Sequence, residues 1–378
     1  MAFDNKKKLG IIGGGQLGRM LIQSAIDFDF IIHALDPDPE ASCVHLAHHF
    51  VTGSLTDYQT VYDFGKDMDL ITIEIEHINT AALKDLEKLG IKVFPQPGIV
   101  EIIQDKRLQK SFFEQNGIPT AEFVLVDDRE SVKNHLEFLP AVNKVGKGGY
   151  DGKGVQILRG EADASKAFDA PGLLEKLIDF DKELAVIVAR SESGEVRTFP
   201  VVEMAFHPEA NLVEYLFAPA DIDASTTEKA AQIAIKTAEA FGIVGLLAVE
   251  MFLTQSGDIL VNEVAPRPHN SGHQSQRANF TSQFEQHLRA IFDLPLGETG
   301  QIAPAAMVNL LGADGYTGEA IYEGMEEIMK VEGVHPFLYG KSKTKPFRKM
   351  GHVTIIDSDF EKLKEKVNFV KKTLRIIS

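Results

Sequence analysis

Across 378 residues the sequence has one cysteine and no tryptophan, and its 39 lysines and arginines are outnumbered by 55 aspartates and glutamates. The single cysteine, Cys43, excludes an intramolecular disulfide and fits a reducing compartment; it reads as a small core hydrophobe and is given no role. A formal charge of -16 argues against a nucleic-acid binder or a peripheral membrane protein, since either needs a net basic face to meet phosphate. No apolar run approaches the roughly 18 residues needed to span a bilayer. The opening MAFDNKKKLGIIGGG breaks into glycines after Ile12, unlike a signal peptide, so the cytoplasm is the expected location. Internal repeats, low-complexity tracts and a GxxxxGK[ST] phosphate loop are all missing.

What is present begins as an alternation of strands and helices. Leu9 to Ile12, Ile31 to Leu35 and Leu70 to Ile75 read as strands, Gln16 to Asp27 and Tyr58 to Lys66 as helices, a parallel βαβ series. A further helix, Thr80 to Leu89, and strand, Ile91 to Phe94, lead to Pro95 and Pro97, which place a boundary near Gly98. The helix carrying QDKRLQKSFFEQNG ends at Asn116-Gly117. Beyond it the period switches to two, with glycine turns, as in an antiparallel sheet: Leu184 to Ala189 and Thr198 to Val202 as strands, Thr226 to Phe241 as a helix, and a hairpin over Leu246 to Val264. A third, smaller unit follows Pro295 and closes with a charged helix at Asp359 to Thr373. The expected units are 1–98, 99–295 and 296–378, mixing α/β with α+β architecture.

Two glycine-rich loops stand out. Gly13-x-Gly15-x-x-Gly18 lies between a strand and a helix, and Asp36 ends the next strand, which is the layout of a dinucleotide-binding loop. The same backbone amides at a helix start serve any phosphate, so a nicotinamide-dependent oxidoreductase is one reading among several. The second loop, in PAVNKVGKGGYDGKGVQIL, combines Lys144, Lys147 and Lys153 with five glycines between two apolar strands. Ammonium groups on a backbone that tolerates close approach suit a flap folding over a triphosphate; the alternative is an exposed turn with solvated lysines.

In LLAVEMFLTQSGDILVNEVAPRP two apolar strands flank Gln255-Ser256-Gly257-Asp258. A turn centred on Ser256-Gly257 sets Glu250 opposite Glu263. Opposed like charges on apolar strands are unfavourable unless a cation joins them, and hard carboxylate oxygens suit Mg²⁺, which also bridges nucleotide phosphates. A solvent-facing pair relieved by lysines, or a different register, is the alternative.

With these features in view, the chain resembles the ATP-grasp family, and within it the carboxylating 5-(carboxyamino)imidazole ribonucleotide synthases of purine synthesis. The likeness runs through GIIGGGQLGRM, ITIEIEH, QDK with LQK, GGYDGKG, EKLIDFDKELAVIVAR, FPVVE, LAVEMFLT, VNEVAPRPHNSGH, TSQFEQHLRAI and RKMGHV, essentially the whole chain. It implies a Rossmann-like pre-ATP-grasp domain, a two-lobed ATP-grasp domain and a small C-terminal domain. It implies ATP, bicarbonate and 5-aminoimidazole ribonucleotide as ligands, Mg²⁺ as cofactor, carboxyphosphate as the intermediate, and a homodimer. Lys106 and Lys144 would then contact ATP phosphates; Gly149, Tyr150, Asp151, Gly152, Lys153, Gly154 and Val155 would form the lid; Glu175, Lys176, Leu177 and Ile178 would meet adenine; Glu183 would hold the ribose, and His207 would join the nucleotide site. Glu250 and Glu263 would bind Mg²⁺ with Asn262 beside them. Gly15, Gln16, Leu17, Lys341 and Arg348 would surround the substrate phosphate, while Glu76, Tyr150, Asp151, Arg267, His269 and Asn270 would line the reacting end, with Arg267 stabilising carboxyphosphate and His273 as a further catalytic candidate.

The chain departs from the family pattern at four places: Lys106 stands where relatives often have Arg, Gln274 where many have Trp, and Ala265 where many ATP-grasp enzymes have Asn, while GKSKTKPFRKMGH is one residue longer than usual.

Overall fold

The computed structural model describes residues 4–149, 154–206 and 212–378. The alternating segment forms a five-stranded parallel sheet in the order His49–Thr52, Ile31–Asp36, Lys8–Ile12, Leu70–Ile73, Lys92–Val93. Leu9 pairs with Ile32 on one side and Leu70 on the other. Helices on both faces bury Leu9, Ile11, Ile12, Ile71 and Ile73 completely, which is why these strands are continuous apolar runs rather than alternating ones. Two of the helices start where side chains cap them: Asp57 accepts from the Thr60 amide and Asn79 from that of Ala82. The edge strand His49–Thr52 lacks apolar alternation and escapes a reading by pattern.

The middle segment supplies two antiparallel sheets. The smaller orders Phe123–Val126, Gly172–Lys176, Ala141–Val145 and Val155–Leu158. The larger runs Ile259–Ala265, Gly245–Thr254, Phe180–Arg190, Val202–Phe206, Val213–Ala218, Ala305–Leu311, Lys349–Ile356, Val334–Leu338, with Val196–Thr198 beside Phe180–Arg190. The helix Ala224–Phe241 lays Ala230, Ala234, Ala238 and Phe241 on Leu184, Val186, Val188, Leu247 and Val249, and stops at Gly242 with φ 62°.

One expectation changes, and the last segment shares a sheet with the middle one. A strand over Thr198 to Val202 is interrupted after Thr198 and resumes at Val202, because Pro200 has no N–H for the ladder. The segment after Pro295 forms two short two-stranded ladders, Gly318–Glu319 with Lys343–Thr344 and Ile321–Glu323 with Arg375–Ile377, while Ala305–Leu311 hydrogen-bonds to Val213–Ala218, with Tyr215 opposite Val308, and extends the larger sheet. The last long helix, Phe360–Thr373, covers this extension with Leu363, Val367 and Val370. No helix of the described residues is long and apolar enough to cross a membrane.

Candidate active site

The smaller sheet and the neighbouring end of the larger sheet face each other across a cleft. Glu250 is the direct cross-strand partner of Glu263. The pairing below them is Met251 with Val261, so a bulge leaves Asn262 unpaired. A bulge sends consecutive side chains toward the same side, and Asn262 and Glu263 both meet lysines of the opposite wall. Asn262 Oδ1 accepts from Lys144 Nζ at 2.9 Å, and Glu263 Oε2 ion-pairs with Lys106 Nζ. Glu183 pairs with Phe252, two residues from Glu250, and so shares this face.

Three carboxylates on one face perturb one another. Burial, and then the Glu263 charge, push the Glu250 carboxyl up to about 8. The Lys106 ammonium holds Glu263 down to about 2. Burial and then Glu263 raise Glu183 to about 7. His269 Nε2 lies 3.4 Å from Glu250 Oε1, and Lys349 is near enough to oppose the upward shift of Glu250.

On the facing wall, Lys144 and Glu175 occupy adjacent strands, with Val142 opposite Glu175 and Lys144 two residues further, so both point the same way. The base of the second glycine loop is stapled to the start of the helix Lys106–Gln115 and to Pro171: Lys106 N donates to Gly146 O at 2.8 Å, Gly146 N to Pro171 O at 2.9 Å, and Lys147 forms an antiparallel backbone bridge with Asp105. Gly154, at φ 78°, passes so close to Val145 that an added Cβ would lie 2.5 Å from its Cγ2. Lys176 N and Leu177 N donate to Glu122 O and Pro140 O, while the Lys176 ammonium turns to Phe138 O at 2.8 Å. Tyr150, Asp151, Gly152, Lys153 and His207 lie outside the described residues.

The first glycine loop is closed by the chain itself. Gly15 N and Gly18 N donate to Glu74 at 3.1 and 2.9 Å, and Gly14 N to Asp36 at 2.7 Å. Gly13 and Gly15 leave room for that carboxylate, since a Cβ at Gly13 would lie 2.3 Å from Glu74 Cγ and one at Gly15 2.7 Å from its Oε1. Burial pushes the Glu74 carboxyl above its ordinary range, against the pull of the two amides. A dinucleotide pyrophosphate on these amides would meet two carboxylates, which removes the oxidoreductase reading. Beside the loop, Gly15, Gln16, Lys341 and Arg348 line a cavity of about 260 Å³ together with Ser42 and Lys343, and Lys341 Nζ donates to Gln16 Oε1 at 2.9 Å. The Leu17 side chain does not line the cavity: it is 8 % exposed and packs in a core shared with Phe284, Leu288 and Tyr339, which leaves the backbone of this first helical turn as its means of meeting a phosphate.

Between cavity and cleft, Arg267 ion-pairs with Glu76 at 2.9 Å. Both amide atoms of Asn270 are buried without a hydrogen-bond partner among the described residues, the mark of a site built for a further group. His273 is 1 % exposed; its ring lies 4.8 Å from that of His352, tilted by 31°, and burial keeps it neutral. It supports the wall as a core ring and is withdrawn as a catalytic candidate. Residues that reading by motif missed are Glu74, two positions before Glu76 in ITIEIEH, and Lys349, beside Arg348 in RKMGHV. Spacing offered a signal for one of them: residues two apart on an extended chain share a face, so choosing Glu76 brings Glu74 with it, whereas nothing local separates Lys349 from its neighbours.

The ribonucleotide synthetase preATP-grasp model matches residues 6–104, the ATP-grasp domain model 111–284, and the phosphoribosylaminoimidazole carboxylase C-terminal model 305–366. The N5-carboxyaminoimidazole ribonucleotide synthase of Synechococcus elongatus is 40% identical over 92% of this chain and 89% of its own. The chloroplastic phosphoribosylaminoimidazole carboxylase of Vigna aconitifolia is 38% identical over 94% of this chain, which spans 65% of that protein. Among solved structures, N5-carboxyaminoimidazole ribonucleotide synthetase from Thermotoga maritima superposes with a TM-score of 0.92 at 44% identity, covering 98% of this chain and 99% of that one. The Aspergillus clavatus synthase, solved with ADP and 5-aminoimidazole ribonucleotide, gives 0.89 at 30% identity, covering 97% and 98%. The chain therefore belongs to the N5-carboxyaminoimidazole ribonucleotide synthase family of ATP-grasp enzymes.

Proposed function

We propose that this chain uses ATP and bicarbonate to carboxylate the exocyclic amine of 5-aminoimidazole ribonucleotide, in purine synthesis. The observation that supports this most is the paired Glu250 and Glu263 facing Lys106 and Lys144 across one cleft, which is a triphosphate and metal arrangement. Among the described residues no cluster of three or more His, Cys, Asp or Glu side chains suits a metal. Two carboxylates are nevertheless what Mg²⁺ requires when nucleotide oxygens and water complete its shell. Glu250 and Glu263, with Asn262 adjacent, would hold it, and when bound it neutralises charge developing on the transferred phosphoryl group.

In the first step a bicarbonate oxygen attacks the γ-phosphorus of ATP, and ADP leaves. In the second the substrate amine attacks the carbonyl carbon of carboxyphosphate; phosphate departs and the amine loses a proton. Lys106 and Lys144 neutralise the triphosphate. Glu183, at the same face, accepts from the ribose, and the segment Glu175 to Ile178 meets adenine. Arg267, oriented by Glu76, offers its planar fork to the mixed anhydride, with His269 and Asn270 beside it. Gln16, Lys341 and Arg348 hold the substrate phosphate in the cavity next to the first loop. The lid from Gly149 to Val155, with Tyr150, Asp151 and Lys153, shields the anhydride from water. We assign the units as 1–98, 99–295 and 296–378, the location as cytoplasmic and the assembly as a homodimer, on family likeness.

The test is phosphate release from ATP. It should require bicarbonate and rise further with 5-aminoimidazole ribonucleotide; release indifferent to both would refute the assignment.

A further inference from the structure

Lys110 follows Lys106 by one helical turn but is 2 % exposed and never reaches the cleft. Its ammonium donates to Thr120 Oγ1 and, at 2.9 Å, to Glu175 Oε1. The other oxygen of Glu175 lies 2.9 Å from Lys144 Nζ, a close ion pair though not aligned for a hydrogen bond. Lys144 in turn donates to Asn262. The Thr120 hydroxyl donates to Val261 O at 2.6 Å, and Val261 N donates to Pro119 O at 2.7 Å. These contacts close a ring: Asn262, Lys144, Glu175, Lys110, Thr120, Val261, and back through one peptide bond to Asn262.

The ring spans the cleft wall to wall and includes the bulged strand that presents Glu263. Its charge is equally informative. Two lysines and one buried carboxylate sum to +1, so Lys144 keeps a positive charge for a ligand only because Lys110 also neutralises Glu175. Without Lys110, Glu175 would be a buried carboxylate with Lys144 as its one counter-ion. The pair would be neutral and tightly held, since a buried charge left unpaired is costly.

We propose that Lys110 is a positioning residue for ATP: by sharing Glu175 it frees the Lys144 ammonium for the nucleotide phosphates and ties the bulge at Asn262 to the opposite wall. The inference rests on the ATP reading of the cleft. It assigns a function to the second lysine of QDKRLQK, which is buried behind the cleft wall.

The test uses the full chain in the steady-state assay, with the substitutions Lys110→Met and Lys110→Arg. Lys110→Met should raise KM for ATP roughly 10-fold while leaving KM for the ribonucleotide within about twofold. Lys110→Arg keeps a cation on Glu175, so KM for ATP should stay within about threefold of the parent. A folded Lys110→Met protein with parental KM for ATP overturns the proposal, as does a folded Lys110→Arg protein no better than Lys110→Met. If Lys110→Met does not fold, Lys110→Gln takes its place: a rise in KM for ATP that Lys110→Arg does not share supports the proposal, and a parental KM for ATP overturns it. A parent that does not turn over ATP would instead overturn the assignment of the cleft, which separates the two failures.

Discussion

Glu250 faces Glu263 only because one residue is left out of the ladder. The strands leave their turn pairing Leu253 with Ile259, Phe252 with Leu260 and Met251 with Val261, a register that would bring Asn262 opposite Glu250. The bulge at Asn262 advances the second strand by one, so that the two glutamates meet and Asn262 also turns to the cleft. Replacing Glu263 by Gln removes the ion-pair partner of Lys106 and one arm of the metal site. Bicarbonate-dependent ATP hydrolysis should fall by at least about 100-fold, with the thermal midpoint within a few degrees of the parent. Turnover near the parental rate would detach Glu263 from the metal.

Metal binding should release a proton. With its carboxyl pushed up to about 8, Glu250 is protonated at neutral pH in the metal-free protein, and Mg²⁺ must displace that proton. Apparent affinity for Mg²⁺ with a non-hydrolysable ATP analogue should therefore rise with pH until about pH 8. Calorimetry at pH 7 in buffers of different ionisation enthalpy should report close to one proton released, beyond any released by nucleotide and metal alone. Because the folded pKa is raised, the metal-free protein should also lose stability as pH rises from about 4.5 toward 8.

Acid should destabilise the fold from a higher pH than carboxylates alone dictate. His287, buried and 2.7 Å from Thr72 Oγ1, and His352, buried beside Tyr339, are both lowered to about 3 by burial. The unfolded chain binds protons at these rings below its ordinary 6.5 and the folded one does not, so stability is present above that value and is lost as pH falls. Each ring contributes a slope of about 1.4 kcal/mol per pH unit between the two values. Urea unfolding at pH 7, 6 and 5 measures it, and His352→Gln should lower the slope by about one ring's share.

Arg348 reaches the cavity beside the first loop, its Nη1 donating to Lys343 O at 2.6 Å. Arg348→Ala should raise KM for the ribonucleotide roughly 10- to 100-fold, with KM for ATP unchanged. Equal effects on both would place Arg348 outside the phosphate site.

The parallel sheet, the switch to antiparallel strands and the acidic hairpin were legible because each rests on local periodicity. Even so, the pairing of Glu250 with Glu263 follows from a turn centred half a residue away from the observed one, and the bulge at Asn262 compensates. Long-range polar closure left no such trace. Glu74 filling the first glycine loop, Lys110 joined to Glu175, and the burial of His273 depend on segments far apart in sequence, and residue type alone does not separate a ligand-facing group from one satisfied within the protein. The extension of the large sheet by Ala305–Leu311 was hidden for the same reason, since pattern marks a strand without naming its neighbour.

A crystal structure of the chain with Mg²⁺ and a non-hydrolysable ATP analogue decides whether the glutamate pair and the two lysines share one ligand. Metal density touching both Glu250 and Glu263, with Lys106 and Lys144 on the phosphates, is the predicted result. A nucleotide bound at the first glycine loop, or a triphosphate that leaves the glutamate pair untouched, would contradict it.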